Sequence, residues 1–170
     1  MAIIRTYGDP ILRKKSKDIE NIDGSVSELA QDMIESLKAY GGIGLAANQV
    51  GVDKRIFVVD RSNLDLIDEP LIAINPKIVE ISGKQTEEEG CLSIPETFDY
   101  VTRPIGVTVK ALDLDGKELQ IQGKGLLARV LAHEIDHLDG VLFIDHLSAI
   151  RRKLLSGKLK KIAEKQKQKS

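Results

Sequence analysis

Apolar residues change their spacing along the chain, and the change separates predicted helices from predicted strands. Apolar positions recur at helical spacing from about residue 25 to Tyr40, which predicts a first helix that ends at Gly41. Short apolar runs bounded by turn residues predict strands over 55–60, 71–75, 77–81, 98–102, 106–112 and 117–122. The segments 61–70 and 83–89 are polar and predict loops. Asp115-Gly116 is a strong hairpin signal between the last two strands.

The helical period returns in the last third of the chain. Leu126, Leu127, Val130 and Leu131 begin a broad apolar stripe, which predicts a long, largely buried helix that ends near Gly140. A last helix is predicted after Ser148, and five apolar side chains are expected on one of its sides: Ile150, Leu154, Leu155, Leu159 and Ile162. Short, mostly antiparallel strands with a helix in front, one in the middle and one at the end indicate the α+β class.

Composition places few further limits on the protein. A length of 170 residues with 42% hydrophobic and 30% charged residues is typical of one soluble domain, here 1–148 with 149–170 as its basic C-terminal helix and tail. No apolar run approaches the ~20 residues of a membrane span, and Arg5, Gly8 and Pro10 interrupt the N-terminus, so no signal peptide is predicted. The single cysteine, Cys91, excludes an internal disulfide and predicts a cytoplasmic protein.

The motif H-E-x-x-H occupies 133–137, within the predicted buried helix. Residues four apart share a helix face, so His133 and His137 can bind one metal ion. Only three histidines exist in the chain, and two of them have this spacing. A divalent cation lowers the pKa of a bound water from ~16 toward ~7, and Glu134 is placed to take the proton of that water. The motif therefore predicts a metal-dependent hydrolase.

A catalytic metal needs a third protein ligand. A metzincin would have a third histidine where this chain has Phe143, and His146 comes three residues too late. The only glutamate after the motif, Glu164, lies in the lysine-rich tail. Cys91 remains, since a thiolate with two imidazoles is a sound ligand set, although a free cysteine is also commonly a small buried apolar residue.

Three segments resemble the three motifs of peptide deformylases: Gly42-Ile-Gly-Leu-Ala-Ala-Asn-Gln49, Glu89-Gly-Cys-Leu-Ser93 and His133-Glu-Ile-Asp-His137. They occur in the order and at the spacing of that family, and the similarity extends from Asp9 to about Leu147. The resemblance implies an enzyme that removes the formyl group from the N-terminal formyl-methionine of new polypeptides. It also implies Fe2+ as the native metal, with Zn2+, Ni2+ or Co2+ able to occupy the site.

The resemblance further implies a role for each residue of the site. The implied metal ligands are Cys91, His133 and His137. Glu134 is expected to take a proton from the metal-bound water and to return it to the leaving amine. The Gln49 side-chain amide and the Leu92 backbone N–H are expected to stabilise the charge that develops on the formyl oxygen. One such donor typically contributes about 3–4 kcal/mol.

The substrate is expected to bind as a short extended chain. Ile43-Gly44-Leu45 and Gly90 are suited to pair with it as an added strand. The methionine side chain needs a flexible apolar pocket, whose candidates are Ile43, Leu126, Val130 and the face of His133. Arg129 lies nearby on the same helix, either at the rim of this pocket or in solvent.

Charge is divided unevenly along the chain. Residues 151–170 contain nine Lys or Arg and one Glu, a net +8, while the first 150 contain 16 basic and 25 acidic residues, a net −9. The basic tail predicts a contact with the ribosome, where nascent formyl-Met peptides emerge, and its alternative is a solvated, solubilising tail. No DNA partner, no membrane and a monomeric state are expected.

Two other functions compete with the deformylase hypothesis. An H-E-x-x-H metallopeptidase would keep the metal and Glu134 but would cut internal peptide bonds. A metal-binding or RNA-associated module without enzymatic activity would use the basic tail, but the chain shows no groove-reading motif and no aromatic platform.

Overall fold

A five-stranded antiparallel sheet and a separate hairpin organise residues 1–169, the part of the chain that the computed structural model describes. The helices are α1 (Gly24–Tyr40), α2 (Leu126–Leu138) and α3 (Ala149–Lys169), with 3₁₀ turns at Pro10–Arg13, Ala47–Val50 and Phe143–His146. The strands are β1 (Gly44–Ala46), β2 (Ile56–Val59), β3 (Leu71–Ser82), β4 (Gln85–Cys91), β5 (Ile94–Arg103), β6 (Gly106–Leu112) and β7 (Glu118–Lys124). The sheet order is β1-β2-β3-β6-β7, and β4 pairs with β5. The predicted α+β class and the three helix positions are confirmed.

Strand β2 divides the two cores of the sheet because successive side chains of a strand point to opposite faces. Phe57 and Val59 lie in the core that contains α2. Ile56 and Val58 lie in the core that contains α1. All four side chains are wholly buried, so the strand is a continuous apolar run between two helices. Helix α2 is therefore held against the sheet, and its backbone supports its side chains in fixed positions.

Two sequence predictions about the strands are wrong. The polar segment 83–89, predicted as a loop, lies mostly in β4, where one face is exposed and the inward Glu89 is neutralised by arginines. The two strands predicted over 71–75 and 77–81 are one strand, β3. Its register shifts between Ile74 and Lys77, so the strand continues past Pro76, which has no N–H for a regular ladder.

Helix α3 packs against the rest of the chain through part of its length. The Ser148 hydroxyl accepts the N–H of Arg151 at 3.3 Å, as expected for a helix start. Leu159 and Ile162 are buried in a third core with residues of β5 and the Phe143–His146 turn. No helix within 1–169 has both the length and the apolarity that a bilayer span requires.

The docking side of α3 differs from the predicted one. Ile150 and Leu154 are 75% and 80% exposed, so the prediction that they lie on the same side of the helix as the other three apolar residues is wrong. Leu155, Leu159 and Ile162 follow at i, i+4 and i+7, which places them on one face. Leu154 precedes Leu155 by one residue and therefore lies about 100° around the helix, toward solvent.

Candidate active site

Helix α2 presents three chemically active side chains to the interior. His133, Glu134 and His137 are only 7%, 3% and 1% exposed. The two imidazoles share a face, as four-residue spacing predicts, and their Nε2 atoms lie 3.1 Å apart. Because α2 is fixed against the sheet, these two nitrogen atoms are held in place as a pair.

Cys91 joins the histidines from the end of β4. Its Sγ lies 3.1 Å from His137 Nε2, and the three donor atoms of Cys91, His133 and His137 all lie within 4.8 Å of one another. His146 is not part of this cluster, since its Nε2 lies 2.7 Å from Asp136 Oδ2 instead. The structure thus brings together the three predicted ligands from two distant segments.

This cluster fits a divalent metal ion. Burial lowers the pKa of His137 well below its usual value, and a positive charge on His133 lowers it further. A neutral imidazole has a lone pair for a cation, and a thiolate with two imidazoles is a donor set that several first-row metals accept. A catalytic site also needs an open position, and Cys91 and His133 border a cleft.

Glu89 lies behind His133 and fixes its ring. Its Oε2 is 2.7 Å from His133 Nδ1, and it accepts hydrogen bonds from both arginines, Arg103 (Nη2 2.7 Å, Nε 3.1 Å) and Arg129 (Nη1 2.9 Å). Burial raises the pKa of Glu89, but hydrogen bonds to His133 and Arg103 outweigh it and hold that pKa well below its usual range. To bind a metal, the charged His133 has to lose one proton; because Glu89 is ionised and accepts from Nδ1, the proton that stays is on Nδ1, and Nε2 becomes the ligand atom.

The two arginines were not identified as site residues from the sequence. Arg129 is 4% exposed and also donates to the Val101 carbonyl at 2.9 Å, so it does not point into solvent. Arg103 continues to Asp136, with 2.5 Å between Nη1 and Oδ2. Glu89 itself belonged to the polar segment 83–89, which was predicted to be a loop. Strand alternation alone would not have identified it, because Glu87 has the same parity but is exposed, and the strand register shifts between Gly90 and Cys91.

Glu134 is a buried carboxyl group beside the cluster. Burial raises the pKa of Glu134 to about 7, which the positive charge of His133 opposes. Its Oε2 has no hydrogen-bond partner within residues 1–169. A Cβ on Gly44 would come within 2.7 Å of Glu134 Oε1, so only glycine lets β1 approach this closely. A carboxyl with such a pKa can take up and return a proton near neutral pH.

Gln49 directs its side-chain nitrogen at the cluster. Its Oε1 accepts the Ala46 N–H at 2.9 Å, and its Nε2 lies 3.1 Å from Ser93 Oγ and 3.5 Å from Cys91 Sγ. The two ends of the amide are thereby distinguished, with the oxygen facing the backbone and the nitrogen facing the thiol. Leu92 follows Cys91 in the turn and lines the same cleft.

A cleft of about 680 Å³ opens over these residues. It is lined by most of the predicted site: Ile43, Gly44, Gln49, Gly90, Cys91, Leu92, Leu126, Val130, His133 and Glu134. The Leu45 side chain does not line it, because it is wholly buried in the α1 core. A larger open groove of about 1340 Å³ lies elsewhere and is lined by charges of both signs, but it contains none of the predicted site residues.

The chain is similar to proteins of known type along nearly all its length. The family model described as polypeptide deformylase matches residues 1–153. A peptide deformylase of Dictyoglomus thermophilum is 51% identical over 142 residues, which are 84% of this chain and 90% of that protein. One from Syntrophobacter fumaroxidans is 50% identical over 93% of each chain. The crystal structure of a peptide deformylase from Legionella pneumophila matches with a TM-score of 0.89 at 43% identity, over 98% of this chain and 97% of that one.

Proposed function

The chain belongs to the peptide deformylase family, and from that premise we propose how its own residues carry out the reaction. It is a hydrolase that removes the formyl group from the N-terminal methionine of nascent peptides. The alternative of a metallopeptidase that cuts internal peptide bonds is not supported. One observation carries the residue assignments: three metal-ligating atoms converge beside the buried carboxyl of Glu134 at a cleft.

Cys91, His133 and His137 are the residues that would hold one divalent metal ion. When bound, such an ion polarises a carbonyl oxygen and acidifies water. Fe2+ is the proposed native metal on the basis of the family resemblance, with Zn2+, Ni2+ or Co2+ as alternatives, because a thiolate and two imidazoles suit several metals. Glu89 orients His133 by accepting its Nδ1–H, so that Nε2 faces the other two ligands.

Glu134 and Gln49 act on the two sides of the scissile amide. Glu134 takes a proton from the attacking water, at the Oε2 atom that has no other partner among the described residues, and returns it to the leaving amine nitrogen. Gln49 Nε2 donates to the formyl oxygen, and the Leu92 backbone N–H is proposed as a second donor. The burial of Gln49 supports this role because a donor in a dry, fixed position does not need to reorganise.

The substrate would enter as an extended strand between β1 and β4. Within the described residues β1 pairs only with β2 and β4 only with β5, and Gly44 and Gly90 on these strands border the cleft. Leu45 would contribute through its backbone alone, since its side chain is buried. The methionine side chain would lie among Ile43, Leu126 and Val130.

The ligand assignment is tested by Cys91→Ser, with His146→Ala as the control. A hydroxyl is a harder and poorer ligand than a thiolate, so metal affinity should fall by more than the roughly 10–100-fold caused by loss of an outer-shell partner. His146→Ala should bind metal in the same stoichiometry as the wild type. Both variants and the wild type are purified without oxygen, analysed for metal, and assayed for formate release from a formyl-Met peptide. Full metal content and activity in Cys91→Ser would exclude Cys91 as a ligand.

The basic face of α3 is a proposed contact with the ribosome, and 149–169 is proposed to belong to the catalytic domain. Leu159 and Ile162 dock the helix, while lysines of the helix such as Lys160, Lys161 and Lys165 are exposed. Ribosomal RNA presents phosphates that such side chains can contact. The single cysteine and the nascent-chain substrate support the proposed cytoplasmic location, and a monomeric state is proposed with it.

Lysine substitution tests this contact better than truncation, because truncation would also remove Leu159 and Ile162 from the third core. Neutralising three exposed lysines of α3 should reduce co-sedimentation with ribosomes at low salt and leave turnover of a small peptide unchanged. The logarithm of the binding constant falls linearly with the logarithm of the salt concentration, and this slope should become shallower by about one for each lysine that contacts a phosphate. The substitutions are Lys160→Gln, Lys161→Gln and Lys165→Gln. The control neutralises three exposed lysines, two on the sheet and one in the turn between β6 and β7: Lys77, Lys110 and Lys117. Equal ribosome binding by the α3 variant and the control would contradict the proposal.

A further inference from the structure

Ser93 has a buried hydroxyl group beside the site that the proposed reaction does not yet use. Cys91 pairs with Ile94 across the β4–β5 hairpin, so Leu92 and Ser93 are the two residues of its turn. The exposure of Ser93 is 0%. A hydroxyl removed from water in this way is costly unless it has a hydrogen-bond partner. Its partner is Gln49 Nε2, at 3.1 Å.

The Gln49 amide has only one orientation that satisfies both of its ends. Its oxygen accepts the Ala46 backbone N–H, which can only donate, so the nitrogen must face Ser93 and Cys91. A primary amide carries two N–H groups in one plane, and the Ser93 hydroxyl accepts one of them. The second N–H donates to Cys91 Sγ, which lies 3.5 Å from the nitrogen on the cleft side.

The backbone of Ser93 is held independently of its hydroxyl. Its N–H donates to Cys91 Sγ at 3.4 Å, and its carbonyl accepts the Tyr7 N–H at 2.8 Å. Both bonds use backbone atoms of Ser93, which alanine also has. The hydroxyl can therefore be removed while the turn and the thiol position are kept, which separates its contribution from that of the fold.

We propose that Ser93 is a positioning residue: its hydroxyl accepts one N–H of Gln49 and thereby holds the other N–H on the Cys91 side of the amide, where the formyl oxygen accepts it in place of the thiol. This inference rests on the proposed role of Gln49 as a donor to that oxygen. Removal of a direct donor lowers kcat by roughly 10²–10³-fold. Loss of a group that only orients the donor should have a smaller effect, since the Ala46 bond still restrains the amide.

Ser93→Ala should lower kcat for a formyl-Met peptide about tenfold, which is less than the loss of the direct donor causes. KM should change less than twofold, and metal content and melting temperature should stay close to those of the wild type. The matched control is Ser36→Ala, another wholly buried serine, whose hydroxyl bonds Ala2 and Asp32 instead of the site. Its kinetic parameters should equal those of the wild type.

A double-mutant cycle distinguishes positioning from a structural role. In a Gln49→Ala background, Ser93→Ala should cause no further loss of kcat, because the group that it orients is absent. The same tenfold loss in both backgrounds would overturn the proposal, as would an unchanged kcat in Ser93→Ala alone. A fully active Gln49→Ala would instead refute the assigned role of Gln49, and an inactive metal-loaded wild type would refute the proposed mechanism as a whole.

Discussion

Replacing Glu134 with glutamine is expected to lower kcat for formyl-Met peptides by about 10²–10⁴-fold, the usual contribution of a positioned general acid or base. The amide of glutamine has nearly the same shape as the carboxyl but cannot take up a proton from water. Because Glu134 is not one of the three residues whose ligand atoms converge, metal content should stay the same. Formate release and metal analysis on the same preparation measure both quantities.

The control for this experiment is Glu134→Asp. It keeps a carboxyl group but shortens the side chain by one methylene, so the proton acceptor remains and only its position changes. An intermediate loss of kcat is expected, because catalysis by an acid or base depends on hydrogen-bond reach. If Glu134→Gln retains a near-native rate with full metal content, the proton acceptor must be another group.

The second large effect is expected for Glu89→Gln, and it acts on stability as well as on the site. Glu89 is the shared carboxylate of the buried Arg103 and Arg129. Removing the negative member of a buried ion pair typically costs about 3–5 kcal/mol, because the remaining charge is left uncompensated. His133 also loses its charged acceptor, and loss of such a partner lowers metal affinity or activity by roughly 10–100-fold.

Glu87→Gln provides the matched control, since Glu87 lies on the same strand but is exposed. Its unfolding free energy and metal affinity should stay close to those of the wild type. Chemical unfolding of both metal-free variants measures the free energy of unfolding, and competition with a chelator measures metal affinity. Equal unfolding free energies for Glu89→Gln and Glu87→Gln would show that the buried arginines do not depend on Glu89.

Local patterns were sufficient for several parts of the structure. The helical period predicted α2, and four-residue spacing within it placed His133 and His137 side by side. Checking the other candidate ligands left Cys91, and the structure brings its Sγ to 3.1 Å from His137. The prediction of a loop over 83–89 was wrong because the polar residues of that segment belong to a strand that is largely exposed and has one inward carboxylate. The docking face of α3 was misplaced because Leu154 and Leu155 are adjacent in sequence but point in directions about 100° apart.

The sequence by itself determined the α+β class, the histidine pair with the carboxyl of Glu134 beside it, and the family, since all three depend on residue types within short local segments. Only the tertiary structure decided the surroundings of those residues. Glu89 meets Arg129 40 positions away, and Gln49 meets Ser93 44 positions away. No local period encodes such pairs, because they form only when the hairpin, the sheet and α2 pack together. The same packing excludes water, and it therefore also decides which carboxyl stays ionised, as Glu89 does, and which has a pKa near 7, as Glu134 does.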